Sequence, residues 1–287
     1  MNKIKPILKW AGGKSFLVPN INKIIENIKF KRYIEPFFGG GAIYFNLIKN
    51  NQNIIKNSII NDMNSDLMSL YKNIKTQSRS LIKSHGRIKN QFKAKGYYYI
   101  RARYNGVDEN GIKVNRYENT DRSAALMILN KTCFNGIYRV NKDNKYNVPK
   151  GRYKSPAFIE DDLIISLSKI LPKTINIKSI SYQKIKYKKN DLVYFDPPYD
   201  PINKTSSFTS YSGKFGKDEQ RELYDKFNKL DAMGANVILS NNNTDFIKDL
   251  YKEHNLETVE CSRSINSKKD KRGKIQELII VGKNFGK

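Results

Sequence analysis

Residues 33–49, YIEPFFGGGAIYFNLIK, decide the fold of the chain. The apolar run from Tyr33 to Phe38 predicts a β-strand, the glycines from Gly39 to Gly41 predict a tight turn, and Ala42 to Ile48 has the apolar spacing of a helix. Glycines in such a turn let the backbone approach a bound nucleoside closely. A strand that leads through a glycine turn into a helix indicates the start of an open α/β sheet.

The rest of the chain continues this alternation of strand and helix. Further helices are predicted at residues 16–28, 64–74, 219–230 and 246–251, and further strands at residues 58–61, 192–195, 237–239, 256–261 and 277–281. Residues 76–159 differ in composition, since they are polar, aromatic and basic. We therefore predict an α/β fold in which this segment is an insertion with its own small core.

The charge of the chain suggests a polyanionic partner. Its 287 residues contain 53 Lys and Arg against 27 Asp and Glu, a net charge of +26, at 39% hydrophobic content. Six basic residues against one acidic residue lie between Arg139 and Lys154, and five against one between Lys268 and Lys274. Basic loops with interleaved aromatic residues favour nucleic acid. A lysine-rich composition without that role is the alternative.

Several classes of protein are disfavoured by what the chain contains. Two cysteines and two histidines would all be needed for one zinc site, so we expect no metal, and two thiols do not make a disulfide-stapled domain. Pro6, Lys9 and Gly12 interrupt the N-terminal segment before an apolar signal region could form, and no stretch has the length of a membrane span. We expect a soluble protein of the cytoplasm.

The glycine turn and a later acidic residue indicate a nucleoside-containing cofactor. Asp62 ends the next predicted strand, 21 residues after Gly41, and an acidic side chain at about that offset can accept hydrogen bonds from ribose hydroxyls. Ile43 and Tyr44 replace the third glycine of a dinucleotide fingerprint, and the segment before Gly13-Lys14-Ser15 lacks the first glycine of a phosphate loop. NAD and nucleotide hydrolysis are therefore disfavoured.

The segment Asp196-Pro197-Pro198-Tyr199, directly after a hydrophobic strand, is the strongest chemical signal. Prolines remove N–H donors, so the Asp196 carboxylate and the Pro197 carbonyl can accept hydrogen bonds from an amino group while Tyr199 stacks on a flat ring. This arrangement suits methyl transfer to the exocyclic amine of adenine without a covalent enzyme intermediate. The alternative is a rigid turn with a capping aspartate. No Pro-Cys pair is present, so Cys133 and Cys261 are expected to be buried small residues.

Four ordered motifs resemble the Dam-type DNA adenine-N6 methyltransferases. They are Lys9-Trp10-Ala11-Gly12-Gly13-Lys14, Glu35-Pro36-Phe37-Phe38-Gly39-Gly40-Gly41, Asn61-Asp62-Met63-Asn64-Ser65-Asp66-Leu67 and Asp196-Pro197-Pro198-Tyr199. The likeness continues through residues 134–139 and 147–153, which resemble the family's target-reading hairpin, and through Phe208 to Tyr211.

The resemblance implies a Rossmann-like sheet that binds S-adenosylmethionine and releases S-adenosylhomocysteine. Residues 1–75 and 160–287 would form the catalytic methyltransferase domain, and residues 76–159 a helical and hairpin domain that recognises DNA. The cofactor would be bound by Trp10, Ala11, Gly12, Gly13, Lys14, Glu35, Phe37, Gly39, Asp62 and Asp196. Asp196, Pro197, Pro198 and Tyr199 would carry catalysis.

The same resemblance implies that the enzyme reads double-stranded DNA, with GATC as the target, and flips the adenine out of the stack. The DNA-contacting residues would be Lys9, Phe134, Asn135, Ile137, Arg139, Pro149, Arg152 and Tyr153. Arg139 would grip a guanine edge, the commonest specific base contact; alternatively, Arg139 or Arg152 contacts only phosphate. Phe134 and Ile137 stand where relatives often carry Tyr and Leu.

Three alternatives remain at this level. Cytosine-N4 methylation uses the same amine chemistry, although Asp before the prolines favours adenine. A DNA-binding protein without turnover would show the basic surface without the chemistry. A nuclease is the least supported alternative, because the segment Asp143-Asn144-Lys145 has no second acidic group near it in the sequence. A restriction endonuclease counterpart in the same system is possible, with no stable protein partner and no membrane implied.

Overall fold

The computed structural model describes residues 6–10, 12–50, 57–202, 215–262 and 274–287. Internal contacts divide the chain into two compact units. The first unit comprises Met1–Gly13, Gly39–Gln52 and Asn61–Ser179, and the second comprises Lys14–Phe38, Asn53–Ile60 and Ile180–Lys287. Each unit is therefore assembled from segments that are distant in sequence.

Strands and helices alternate along most of the chain. The strands are β1 (Arg32–Glu35), β2 (Ser58–Asn61), β3 (Asn176–Lys178), β4 (Asp191–Phe195), β5 (Asn236–Asn242), β6 (Asn255–Ser262) and β7 (Lys274–Val281). The α-helices are α1 (Val18–Ile25), α2 (Ala42–Asn50), α3 (Ser65–Thr76), α4 (Ser78–Tyr104), α5 (Asn119–Thr132), α6 (Asp161–Ile170), α7 (Lys217–Ala232) and α8 (Asp245–Leu250), with short 3-10 helices at Ser15–Leu17, Phe134–Gly136 and Tyr182–Lys184. Each strand and helix predicted from the sequence has its counterpart here, which confirms that prediction.

The second unit is built on a mostly parallel sheet. Six strands lie side by side in the order β2-β1-β4-β5-β7-β6. β1 pairs in parallel with β2 and β4, β4 pairs in parallel with β5, and β7 is antiparallel to both β5 and β6. The predicted α/β sheet is confirmed. The strand order reverses between β1 and β4, and in open sheets of this kind ligands bind beyond the carboxyl ends of the strands at that point.

Several strands differ in length from their predictions, and for β1 and β5 the difference has a physical reason. β1 ends at Glu35 instead of Phe38, because Pro36 has no N–H group to continue the ladder. β5 extends past Leu239 through Ser240, Asn241 and Asn242, and all three are buried. The sequence predicted that the strand ends at Leu239, because a pattern of apolar residues cannot identify polar residues that are buried with hydrogen-bond partners.

A single apolar core holds α7 and α8 against the sheet of the second unit. Leu223 and Phe227 of α7 and Ile247 of α8 are fully buried together with Val193 of β4 and Val237 of β5. Strands of a parallel sheet that are covered on both faces carry such continuous apolar runs. This packing fixes the carboxyl ends of β4 and β5, where polar residues follow.

The first unit is helical. α5 is its central helix, since every residue from Ser123 to Asn130 is buried. α4 is kinked at Gly96, whose φ of +83° is in the left-handed region that favours glycine. The side chain of Asn64 caps α3 by accepting a 2.9 Å hydrogen bond from the Leu67 amide. No helix in the described part of the chain has the length and apolar composition needed to cross a membrane.

A half-buried ion pair joins α3, α4 and α5. Arg122 donates to both carboxylate oxygens of Asp66, at 2.6 and 2.7 Å, and also to the Tyr104 carbonyl at 2.9 Å. The Tyr104 hydroxyl donates to the same carboxylate, and the Arg122 guanidinium lies 4.1 Å from the centroid of the Tyr104 ring. A bidentate pair with two further contacts is the strong form of such an interaction.

We expect Arg122→Ala to lower the free energy of unfolding by about 2 to 4 kcal/mol, because Asp66 would keep a partly desolvated charge without its cation. Denaturant-induced unfolding measures this change. Arg221→Ala is the matched control, since Arg221 pairs with Asp218 on the surface of α7 and its loss should cost below about 1 kcal/mol. Equal losses in the two variants would contradict a structural role for the Arg122 pair.

Candidate active site

Asp196 follows β4 directly, at the edge where the strand order reverses. Its Oδ1 accepts a 3.0 Å hydrogen bond from Ser240 Oγ on β5, and Ser240 Oγ lies 2.8 Å from the Tyr194 hydroxyl. The Asp196 side chain is 21% exposed, so it is largely shielded yet still reachable. The predicted catalytic segment therefore follows a strand of the sheet, and the Asp196 side chain keeps partial exposure to solvent.

Lys14, Asp196, Tyr199 and Glu277 form one group in the second unit, which we call the acid–lysine cluster. Lys14 Nζ lies 3.5 Å from Glu277 Oε2, 4.0 Å from Asp196 Oδ1 and 3.7 Å from the centroid of the Tyr199 ring. The Tyr199 hydroxyl donates a 3.0 Å hydrogen bond to Glu277 Oε2. Two carboxylates and one ammonium give the group a net negative charge, which favours a cationic ligand.

Burial raises the pKa of Asp196 to about 6. The ammonium of Lys14 and the hydrogen bond from Ser240 lower this pKa, whereas the charge of Glu277 raises it. Desolvation is the largest contribution, so the carboxylate is held in an environment that solvates it less well than water does. A carboxylate in that condition is a strong hydrogen-bond acceptor.

Glu277 was not among the residues predicted from the sequence. It lies in β7 directly before the apolar run from Leu278 to Val281, and it is 5% exposed. An acidic residue in a buried strand costs free energy unless it has partners, and that pattern is the signal that could have identified it. Its partners, Lys14 and Tyr199, are more than 70 residues away in the sequence.

A network of side-chain amides fixes the backbone after Asp196. Gln220 Nε2 of α7 donates to the Pro198 carbonyl at 2.9 Å, and Asn241 Oδ1 of β5 accepts from the Asp200 amide at 2.9 Å. Asn242 donates to the Asp200 carbonyl at 2.6 Å, and Asn241 donates to Gln220 at 3.2 Å. The carbonyl of Pro198 is thus already engaged, so the segment is held rigidly by α7 and β5.

Trp10, Gly39 and Asp62 form a second group, in the first unit. Asp62 is buried; its Oδ2 accepts from the Gly39 amide and its Oδ1 from the Asn64 amide, both at 2.9 Å. Burial raises the pKa of Asp62, and these two backbone hydrogen bonds oppose the change. A Cβ on Gly39 would lie 3.0 Å from Cδ1 of the Trp10 indole, and Gly39 has a φ of +50°. Only glycine therefore fits beneath this indole.

The remaining residues of the predicted cofactor set have simpler environments. Glu35 is buried and accepts a 2.7 Å hydrogen bond from the Tyr33 hydroxyl, while the Phe37 ring packs among Tyr182, Phe195 and Phe215. Gly12 has a φ of +84°, and Gly13 has only the Trp10 carbonyl near its Cβ position. Ala11 lies outside the described residues.

The predicted target-reading hairpin, which comprises residues 134–139 and 147–153, forms the two sides of a loop on the first unit. Isolated antiparallel bridges join Cys133 to Lys150 and Val140 to Tyr146, and the Phe134 amide donates to the Pro149 carbonyl at 2.9 Å. Arg139 Nε donates to Asn147 Oδ1 at 2.8 Å, so the guanidinium is oriented from across the loop. These contacts show how the hairpin keeps its shape.

Most residues predicted to contact DNA are accessible on the first unit. Ile137 and Arg139 are half-buried, and the others, Lys9, Phe134, Asn135, Pro149, Arg152 and Tyr153, are exposed. Lys9 Nζ lies 5.5 Å from the centroid of the Tyr153 ring. Exposed aromatic rings beside cations suit a surface that contacts bases and phosphates.

Three other sequence predictions have different outcomes. Cys133 is fully buried, and its thiol faces the carbonyls of Asn130 and Ile137, which confirms its expected character. The side chain of Cys261 lies outside the described part of the chain. The same holds for Phe208 to Tyr211 and for the basic loop up to residue 273.

Comparison with known proteins agrees with this geometry. Residues 10–265 match the family described as D12 class N6 adenine-specific DNA methyltransferase. The type II methyltransferase M.MjaIII of Methanocaldococcus jannaschii is 40% identical over 97% of this chain and 99% of its own length. The type II methyltransferase M1.LlaDCHI of Lactococcus lactis subsp. cremoris is 37% identical over 99% and 98%. A DNA adenine methylase of Haemophilus influenzae is 32% identical over 97% and 94%. The chain belongs to the D12 class of N6 adenine-specific DNA methyltransferases.

Proposed function

We propose that this chain transfers a methyl group from S-adenosylmethionine to N6 of adenine within GATC in duplex DNA, after the adenine has been flipped out of the stack. The observation that carries the proposal is the Asp196 carboxylate, which stands at the switch point of the sheet, shielded from water and followed by two prolines. Membership of an adenine-specific class favours adenine over cytosine-N4 chemistry and an enzyme over a binding protein without turnover.

The chemistry follows from the poor nucleophilicity of the adenine amine. Asp196 and the Pro197 carbonyl accept the two amino hydrogens, which localises the lone pair on N6 and directs it away from the ring. With S-adenosylmethionine bound, the bond from its methyl carbon to sulfur would break as the new N–C bond forms, and N6 would then pass a proton to the hydrogen-bonded Asp196 carboxylate. Because Lys14 covers one face of the Tyr199 ring at 3.7 Å, we place the adenine against the opposite face.

The residues present fit a sulfonium donor. When bound, S-adenosylmethionine supplies an electrophilic methyl group on a positively charged sulfur. The acid–lysine cluster has one more negative than positive charge, which stabilises a cation nearby. In the first unit, each Asp62 oxygen accepts one backbone hydrogen bond. Each oxygen therefore keeps a lone pair that can accept a hydrogen bond from a ribose hydroxyl of the cofactor.

The hairpin supports recognition of duplex DNA. Chemistry at N6 requires the adenine to lie outside the DNA helix. The tight turn that begins the hairpin exposes Phe134 and Asn135, which can fill the gap that the flipped adenine leaves. Arg139, oriented by Asn147, would make the bidentate contact to a guanine edge that GATC requires. Two relatives are named type II methyltransferases, so we infer that this enzyme protects DNA against a partner restriction endonuclease.

Expression in cells without their own adenine methylation should place N6-methyladenine at GATC, and methylation-aware sequencing of their DNA reads base, position and motif together. Asp196→Ala should lower methylation by at least about a hundredfold, because the principal acceptor is lost. Asp218→Ala, which removes a carboxylate exposed on α7, should methylate normally. Modification at another sequence would refute GATC, and normal methylation by Asp196→Ala would refute the mechanism.

The rate of methyl transfer in a single turnover should fall about tenfold for each pH unit below about pH 6, because protonated Asp196 is neutral and accepts the amino hydrogen much more weakly. Lys14 and Glu277 are the charged groups facing Asp196, and Tyr194 and Tyr199 are the titratable ones. Glu277→Gln removes a negative charge that raises the pKa of Asp196, so the acid limb of this variant's pH–rate profile should move to lower pH. Absence of an acid limb, or a shift to higher pH in the variant, would contradict the role of Asp196.

Arg139→Ala should lower the preference for the cognate duplex over duplexes with one changed base pair by about 1 to 3 kcal/mol, since a bidentate guanine contact is lost. Steady-state kcat/KM on the two duplexes gives this ratio. Lys142→Ala is the control. Lys142 is exposed in the turn of the same hairpin, and its loss should lower kcat/KM by the same factor on every duplex. An equal loss on every duplex in Arg139→Ala would assign Arg139 to the phosphate backbone.

A further inference from the structure

The side chain of Asn130 binds two distant segments of the first unit at once. Asn130 lies in the last turn of α5 and is 1% exposed. Its Oδ1 accepts from the Lys9 amide at 2.9 Å, and its Nδ2 donates to the Lys9 carbonyl at 2.8 Å and to the Gly136 carbonyl at 3.0 Å. The amide thus pairs with both backbone groups of Lys9, as a neighbouring strand would, and also holds the start of the hairpin.

The two segments pack closely where Asn130 joins them. A Cβ on Gly136 would lie 2.5 Å from Lys9 Cδ and 2.9 Å from Lys9 Cβ, and Gly136 has a φ of +65°. Lys9 is 121 residues from Asn130 in sequence, and its exposed side chain reaches the ring of Tyr153 at the far end of the hairpin. The position of the Lys9 ammonium relative to the exposed rings of the hairpin is therefore set at this junction.

The same junction continues to the residues proposed to hold the cofactor. Trp10 follows Lys9 and stacks on Tyr138 of the hairpin, with ring centroids 5.3 Å apart and an interplanar angle of 26°. The Trp10 indole in turn rests against Gly39, whose amide donates to Asp62. Tyr138 is next to Arg139. One continuous set of contacts therefore runs from Asp62 to the residue proposed to read guanine.

Asparagine is the side chain that fits this junction chemically. It supplies one acceptor and two donors within a small volume, whereas aspartate is acceptor-only and alanine offers neither. Without the Asn130 amide, the Lys9 N–H group and the Lys9 and Gly136 carbonyl groups lose their hydrogen-bond partners. Unpaired polar groups in a buried region cost free energy, which favours separation of the two segments. Only a residue that binds both segments can keep their spacing fixed.

We propose that Asn130 is a positioning residue that sets DNA sequence specificity and cofactor affinity together. The inference rests on the proposed function, because it assigns Lys9 and the hairpin to DNA and Trp10 and Asp62 to S-adenosylmethionine. Asn130 touches neither ligand through its own side chain; it fixes the spacing of the residues that do. Loss of the amide therefore affects discrimination and cofactor binding in one step.

Asn130→Ala should lower the ratio of kcat/KM for the cognate duplex to that for duplexes with one changed base pair by about tenfold. It should also raise the Kd for S-adenosylmethionine without DNA, measured by calorimetry, by at least about fivefold. A general loss of stability would change neither the ratio between duplexes nor the affinity for the cofactor in the folded fraction.

Asn73→Ala is the matched control. Asn73 is also a buried asparagine of the first unit, and it donates a 2.9 Å hydrogen bond to Ser123 Oγ without contacting Lys9 or the hairpin. This variant should lose thermal stability as Asn130→Ala does, yet keep the wild-type ratio and cofactor Kd. If both variants show the same ratio and Kd at comparable melting temperatures, the proposal is overturned.

A second variant decides the question if Asn130→Ala does not fold. Gly136→Ala forces a Cβ against Lys9 and disturbs the same junction, so it should lower the duplex ratio and weaken cofactor binding in the same direction. Wild-type values in Gly136→Ala would overturn the proposal. A wild-type protein that methylates no DNA would instead refute the proposed function, so the two failures are distinguishable.

Discussion

The acid–lysine cluster beyond β4 and β7 is the interaction on which the second unit's chemistry depends. Charged groups removed from water cost free energy unless they are paired and hydrogen-bonded. Lys14 lies within 4.0 Å of both carboxylates, and Ser240 and Tyr199 each donate a hydrogen bond to one of them. The compensation for Asp196 is incomplete, since its pKa still rises to about 6. The remaining imbalance makes this carboxylate a strong hydrogen-bond acceptor.

The polar end of β5 supports that cluster. Ser240, Asn241 and Asn242 are all buried in a strand that an apolar pattern would have ended at Leu239. Ser240 binds Asp196, while Asn241 and Asn242 bind the backbone of Asp200. These residues contribute less to the core than apolar ones would. Instead they hold the segment after Asp196 in one conformation, and a segment that is already rigid loses little entropy when a ligand binds.

The first unit uses buried polar groups in the same way. Asp62 orders the glycine turn by accepting two backbone amides, Asp66 holds Arg122 and Tyr104 together, and Asn130 joins Lys9 to Gly136. Each interaction links segments that lie far apart in the chain. In a low-dielectric interior such hydrogen bonds are strong, and a missing partner is costly. The geometry of this unit is consequently specified by a few polar side chains as well as by its apolar core.

The sequence by itself determined the alternation of strands and helices, the glycine turn after β1 and the position of the Asp196 segment, because these depend on apolar spacing, turn residues and prolines over a few neighbouring positions. Only the tertiary structure decided that Glu277 faces Lys14, that Ser240 binds Asp196 and that Asn130 joins Lys9 to the hairpin. Those partners lie between 44 and 263 residues apart. A local pattern shows that a residue is polar, but whether that residue has a partner in the interior depends on which distant segment the fold brings against it.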